Sequence, residues 1–471
     1  MIMPQISSLL KLRSTKKFVT SDGNLISRIR SAKDTLAEII PICNRINVTR
    51  ISNITYLDKL SIPNFSAILP GTEDSIWVYS GKGITSADAE ASALMEAIER
   101  YSSLSNTYSK SLIRGTYENL SKSHLRVLHP EEVIEFVNQD YHDTNSITDF
   151  VKGFDLLNQE VVLVPAQLAL SRYCAVPPSI NVFQSSHTNG LASGNVLEES
   201  VFHALCEVIE RDAISIADLC ASSIPYNIIE RITDSLRQAE NGGYDLKRIP
   251  AADKFVDDAS IFPEVDISDI VREFDPIKNL VERFANAGIT LTIKEITQHD
   301  IGIPTFVASS IEWISHDYGY FAKGYGTHTD AKTALIRAIT EVSQTRAVNI
   351  QGSRDDLTKI QYKDNDEIYK RKWPFMTLSL QTEQRSDENE SMIKFSEIQT
   401  FNACDILDDI NLILDRLKKA GLKKVIIVDL TSPRIGIPVV RAIVPGLETF
   451  EVTQSVMGTR AKEYFKNWRL C

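Results

Sequence analysis

The chain has 471 residues, 43% of them apolar, and can bury a large core. Its net charge of −11 argues against nucleic acid or an anionic membrane surface as the main partner, and no apolar run approaches the roughly 20 residues of a membrane span. Six scattered cysteines with no C-x-x-C pair indicate neither a disulfide framework nor a zinc module; with no signal-peptide core in the first fourteen residues, a cytoplasmic location is expected.

In chain order, residues 11–30 are basic, with Lys16 and Lys17 just before Phe18. Ser31 to Ile40 reads as an amphipathic helix, and Val48 to Leu69 as strand, turn and strand around Asp58 and Pro63. A Gly-rich turn, Gly81-Lys82-Gly83, then runs into a helix in which Ala87, Ala91, Leu94, Ile98 and Tyr101 recur at core spacing. Glu96 and Glu99 fall on its other side among the small residues Ala89, Ser92 and Ser103. Val161 to Pro165 is a short buried strand.

The glycine–helix phrase returns twice. Ala192-Ser193-Gly194 leads to a helix carrying Glu207 and Glu210, and Gly324-Tyr325-Gly326 to one carrying Glu341 and Gln344. Between them, Leu291 to Ile296 and Pro304 to Ile311 read as strands, and residues 251–276 as a solvated acidic face. After the third copy, Asp405 to Ala420 is a helix, Val425 to Asp429 a buried strand and Val439 to Val444 another; 381–390 reads as a mobile polar loop. The repeats favour one large domain, 71–450, with an N-terminal extension, 1–70, and a tail, 451–471.

Aligned by copy, the polar faces are Ser92/Glu96/Glu99, His203/Glu207/Glu210 and Arg337/Glu341/Gln344. Carboxylates at i and i+3 repel unless a cation lies between them. Glu96, Glu99, Glu207, Glu210 and Glu341 therefore read as ligands of a hard cation such as Mg2+, which shares its shell with phosphate oxygens. The glycine turns at the helix starts add an anion site. His203 with Glu207 and Glu210 imitates a transition-metal face, but the histidine does not repeat while the glutamates do. Cys206 reads as a packing residue, and Asn195 as a helix cap or a phosphate contact. Arg211 and Arg346 follow the motif carboxylates and, with Gln344, are candidates for stabilising transferred phosphate; Arg354 is a further phosphate candidate. No Gly-x-x-x-x-Gly-Lys-Ser/Thr is present, so any nucleotide site is not a P-loop.

The phrases GKGITSADAEASALMEAIERYS, GLASGNVLEESVFHALCEVIERDA and GYGTHTDAKTALIRAITEVSQTR resemble the three core signatures of the YcaO family, as do TRISNITYLDKLSIP, GFDLLNQEVVLVPA and IPVVRAIVPGLE. The resemblance implies an α/β fold of mixed sheets and packed helices, and ATP held through Mg2+ between glutamates. It also implies an early basic residue, here Lys16 or Arg28, at the nucleotide, joined by Ser92, Asn195 and Arg337. Family members use ATP to activate a backbone amide oxygen of a peptide or protein substrate, giving an azoline, an amidine or a thioamide.

Azoline-forming members commonly end in a proline-rich tail and carry or recruit a peptide-binding module, whereas this chain ends Phe465-Lys466-Asn467-Trp468-Arg469-Leu470-Cys471. Its layout resembles stand-alone members that, with a TfuA-like partner in methanogenic archaea, convert a glycine of methyl-coenzyme M reductase to thioglycine. Sulfide or a sulfur carrier is then the expected co-substrate, and assembly as a homodimer stays open. Azoline formation is the alternative chemistry, and a non-catalytic nucleotide-binding scaffold the alternative class.

Overall fold

The computed structural model describes residues 10–20, 23–70, 76–105, 108, 110, 112–123, 125–129, 132–133, 147–173, 188–222, 262–315, 318–352, 392–449 and 458–463. Arg354, His187 and the 381–390 loop lie outside them.

The N-terminal segment pairs β1 (Phe18–Val19) with β2 (Leu25–Ile26), followed by α1 (Ala32–Arg45), which Ser31 caps through Asp34 N–H. The first motif unit is an antiparallel sheet of β3 (Arg50–Asn53), β4 (Asn64–Pro70) and β5 (Ile76–Lys82), then α2 (Ser86–Ser103). Thr85 and Asp88 close a capping box at the start of α2. Next come β6 (Ile113–Gly115), α3 (Tyr117–Lys122), β7 (Arg126–Val127), β8 (Thr148–Asp155), β9 (Glu160–Pro165), α4 (Ala166–Ala169), β10 (Leu191–Ser193) and the long α5 (Leu197–Ser222).

After β11 (Val265–Asp266), α6 (Ser268–Glu273) and α7 (Asp275–Asn286), the third unit repeats the first: β12 (Thr290–Glu295), β13 (Thr305–Ser315) and β14 (Tyr318–Thr327) form an antiparallel sheet followed by α8 (Ala331–Gln351). The chain continues through β15 (Ile393–Lys394), α9 (Ile406–Lys419), β16 (Ile426–Asp429) and β17 (Val439–Ile443). The last two strands join the central sheet in the order β10-β17-β16-β8-β9-β7, with β6 on β8.

Period-two alternation lets each sheet serve two helices. In the first sheet Phe65 and Ala67 enter the apolar cluster that contains Ala93, Leu94 and Ala97 of α2, whereas Asn64, Ser66 and Ser80 of the opposite face bond Ser343, Gln351 and Gln344 of α8. In the central sheet Leu191 and Val439 join the α2 cluster, while Ala192, Val440 and Ala442 pack with Val201, Leu205 and Val208 of α5. In the third sheet Phe306 and Ala308 pack on α8, and Val307 and Tyr325 on Ala213, Ile214 and Ala217 of α5. The three motif helices and three sheets thus alternate, each sheet between two helices.

The motif glycines have a packing role that differs from the anion turn expected. Gly81 lies within its strand, one residue before the end, rather than opening a turn, and a Cβ there would stand 2.1 Å from Ala93 N and 2.2 Å from Ala89 O. Gly326 repeats the contact, 2.1 Å from Ala334 O and 2.6 Å from Ala338 N, and Gly194 approaches Ser200 N at 2.6 Å. The alanines of the motif are small so that strand backbone can lie directly on helix backbone. Ala89 and Ala93 are accordingly fully buried, while Ser92 is exposed.

Candidate active site

The motif carboxylates are turned toward the junctions of these layers. Glu99 is 7% exposed and accepts the Ser193 N–H of β10 at 3.2 Å, so the first unit's helix is tied to the second unit's strand. Arg100 lies 3.2 Å from Glu96 and 3.8 Å from Glu99. On α5, Glu207 and Glu210 share the charge of Arg211, which also acts on Glu341 of α8. Glu341 itself forms an ion pair with Lys82 of β5, and Gln344, one helical turn on, donates to the Ser80 carbonyl.

Burial and crowding show in the titration. Burial pushes the Glu207 carboxyl up to about 7 against the pull of Arg211 and Arg100. Burial, reinforced by Glu341, also raises Glu210, and burial raises Glu99 well above the carboxylate range, with Glu207 and Glu96 adding to the effect. At Glu341 the balance reverses: burial pushes it up, but the Lys82 ammonium outweighs this and holds it below its ordinary value.

Glu210 Oε2 is buried without a hydrogen-bond partner, a costly state for a carboxylate unless a cation completes it. Oxygen donors of this kind suit Mg2+. Glu96, Glu99, Glu207, Glu210 and Glu341 are the residues that would hold it. In the arrangement seen, however, no three acidic, histidine or cysteine side chains among the described residues converge on one ion position; Glu96 and Glu341 face Arg100 and Lys82 instead.

Around the carboxylates, Arg337 Nη2 meets His203 Nε2 at 3.1 Å. Burial and the charges of Arg337 and Arg28 drive the His203 imidazole well below its usual value, so it is neutral at pH 7. Arg28 arrives on an N-terminal strap fastened by a buried Lys17–Asp409 pair at 2.5 Å, by Ser27 on His328 Nε2 at 2.9 Å, and by Ile29 N–H on Glu199 at 2.6 Å. Lys16, by contrast, is mostly exposed and pairs with Asp405 at 3.3 Å. Asn195 donates its backbone N–H and its side-chain amide to Glu199 and accepts from Thr35, so the structure engages it at the helix start.

Arg346 is not brought to the glutamates. It is 1% exposed, bonded to Asp58 through Nε at 2.8 Å and Nη2 at 2.9 Å, and to Glu312 at 2.6 Å. Its helical position explains this: two residues beyond Gln344, it projects to the side facing β13 and the Asp58 turn. Cys206 is buried among apolar side chains, which pushes its thiol up.

Nothing in the local sequence singles out Lys82, because a lysine between glycines looks like part of a turn. Recognising β5 as a strand supplies the missing signal: alternation puts Lys82 on the same face as Ser80, toward α8. His328 and Ser27 had no comparable local signature.

An α/β protein in which three repeated helices bring carboxylates and arginines to sheet junctions defines the class as a non-P-loop, cation-dependent site for an anionic ligand. The family model for YcaO cyclodehydratase, ATP- and Mg2+-binding, matches residues 80–252 and 260–448, and the chain belongs to the YcaO family. It is 33% identical over 423 residues to an uncharacterised protein of Methanothermobacter thermautotrophicus, covering 88% of this chain and 94% of that one. It is 29% identical over 420 residues to an uncharacterised protein in the tfuA 3′ region of Rhizobium leguminosarum bv. trifolii, covering 88% of this chain and 87% of that one.

Among solved structures, YcaO from Methanopyrus kandleri bound with AMPPCP and Mg2+ superposes with a TM-score of 0.63 at 21% identity, over 92% of this chain and 95% of that one. A heterocyclase in complex with substrate and cofactor superposes with a TM-score of 0.67 at 21% identity, over 94% of this chain, which spans only 54% of the heterocyclase. These likenesses establish the mixed α/β fold. No helix among the described residues is long and apolar enough to cross a membrane.

Proposed function

We propose that this protein uses ATP with Mg2+ to activate a backbone amide of a peptide or protein, and that the product is a thioamide, with a glycine as the modified residue. The observation that carries the ATP and Mg2+ part is the glutamate set, with Glu210 Oε2 buried and unpartnered and Glu207 and Glu99 held above the ordinary carboxylate range. Bound Mg2+ would neutralise charge on the transferred phosphate. Arg211, and Arg28 with Arg337 beside His203, are the candidates to bind and orient the phosphates, with Gln344 fixing α8 on β5. Glu96, Glu99, Glu207, Glu210 and Glu341 orient the cation; no side chain is assigned as general base.

The thioamide reading is supported by the kinship with a protein of the tfuA 3′ region and with a methanogen protein, which also favours a TfuA-like partner and a separate sulfur donor. In this reaction sulfide adds to the amide carbon, the oxygen takes the γ-phosphoryl group of ATP, and phosphate leaves as the C=S bond forms. Azoline formation is the second reading, favoured by the cyclodehydratase description of the family model.

Mass spectrometry of a candidate peptide incubated with the protein, the TfuA-like partner, ATP, Mg2+ and sulfide separates the two. Exchange of oxygen for sulfur adds about 16 Da, whereas ring closure on a Cys, Ser or Thr removes about 18 Da. A product lighter by water without added sulfur would replace the thioamide reading, and absence of any Mg2+-stimulated ATP turnover would favour the scaffold class.

A further inference from the structure

The three glycine phrases place Lys82, Ser193 and Tyr325 at equivalent positions, each in the last two strand residues before a motif helix or next to them. In each unit the sheet's far face meets the motif helix of another unit. Ser193 gives its backbone N–H to Glu99 of α2, and Tyr325 packs against Ala213 and Ala217 of α5. Lys82 forms an ion pair with Glu341 of α8. Both side chains are largely enclosed, 16% and 24% exposed, and their neighbour Arg337 is engaged with His203. Copy three is also the one whose second carboxylate is replaced, by Gln344.

We infer that Lys82 is a built-in counter-ion: it holds Glu341 while no cation is bound, yields that carboxylate to the entering metal, and passes its ammonium to the nucleotide phosphates. The inference rests on the ATP and Mg2+ reading above. Removing one partner of a buried ion pair is costly, and a lysine on a flexible stem can change partners by rotation alone, which a rigid guanidinium fork does less easily. The same pair accounts for Glu341 facing Lys82 of β5 in the arrangement seen.

The test compares Lys82→Met, which keeps the stem and removes the charge, with the wild-type chain. Mn2+ binding without nucleotide, followed by electron paramagnetic resonance, should tighten about tenfold in K82M, since pair couplings of this kind are of that order. ATP binding with Mg2+, followed by calorimetry, should weaken by about the same factor. In an E341Q background the K82M change should no longer affect Mn2+ affinity, because the competition is for that carboxylate. Unchanged Mn2+ binding in K82M, or equal tightening in the E341Q background, overturns the counter-ion role. Tightened Mn2+ binding with unchanged ATP binding overturns the hand-over to phosphate. If the wild-type chain binds ATP no better with Mg2+ than without, the functional reading falls and this inference with it. Circular dichroism and melting of both variants verify that the fold is intact.

Discussion

The first two motif helices and the third solve the same packing problem with different electrostatics. In α2 and α5 the glutamates are crowded, Glu99 and Glu210 are buried with Glu96 and Glu207 partly so, and Glu99, Glu207 and Glu210 are all held above their ordinary range. In α8 the single motif carboxylate is paired with Lys82, Gln344 is fastened to a strand carbonyl, and Arg346 is locked by Asp58 and Glu312. The first two helices therefore present carboxylates whose charge is only partly compensated, whereas the motif carboxylate of the third is already paired within the protein.

The contrast is broken most severely by removing the support. Arg346→Met leaves Asp58, 3% exposed, without its bidentate partner, and should cost about 3–5 kcal/mol of stability, read by urea denaturation. A loss below about 1 kcal/mol would show that the cluster does not anchor α8. On the reactive side, Glu99→Gln and Glu210→Gln should each lower ATP turnover by about 10²-fold, because a misplaced phosphate is costly, while circular dichroism stays unchanged. Near wild-type turnover in either would reassign that glutamate to structure.

A smaller effect concerns the ligand. Removing divalent metal with EDTA should weaken ATP binding at least about tenfold by calorimetry, or about 1.4 kcal/mol; undiminished affinity would remove the clamp.

The smallest effect is pH-dependent. The folded-state value of Glu207, about 7, lies above the unfolded value of 4.5, so its contribution to stability is present below 4.5 and is lost as pH rises through about 7. The melting temperature of the metal-free protein should therefore fall across this window more steeply than that of E207Q. The same deprotonation should make metal binding tighter as pH rises. Parallel melting curves for the two proteins would contradict the raised value.

The helices that carry the motif glutamates were legible because helical spacing is a local property and the triplicated phrase repeats it. The helix over Ser31 to Ile40 and the strands at Val161, Leu291 and Val425 were legible for the same local reason, with ends moved by a few residues: α1 runs on to Arg45. What the sequence hid depends on distant partners. Lys82 and Glu341 are 259 positions apart, and Arg346 and Asp58 are 288; no periodicity reports such contacts. The glycines misled for a different reason: a glycine ahead of a helix has the same local signature whether its freedom admits a phosphate or the backbone of a neighbouring helix. Only the approach of Gly81 to Ala89 and Ala93 distinguishes the two.

The fastening of the N-terminal strap bears on how the protein is made. Ser14 bonds Asp405 across 391 positions, and Lys17 is buried against Asp409 of the same helix. The ribosome therefore releases the strap long before these two anchors on Asp405 and Asp409 exist, and the Ser14 and Lys17 end of it must wait for them while the body of the domain forms. Arg28 itself lies between Ser27, bonded to His328, and Ile29, bonded to Glu199, contacts that come earlier in the chain than α9. The earliest-synthesised segment beside the candidate pocket is thus fastened in part by one of the last helices to be made, and a nascent chain halted before Asp405 would carry the motif glutamates of all three helices and the Glu199 and His328 contacts, but not the anchors of Ser14 and Lys17.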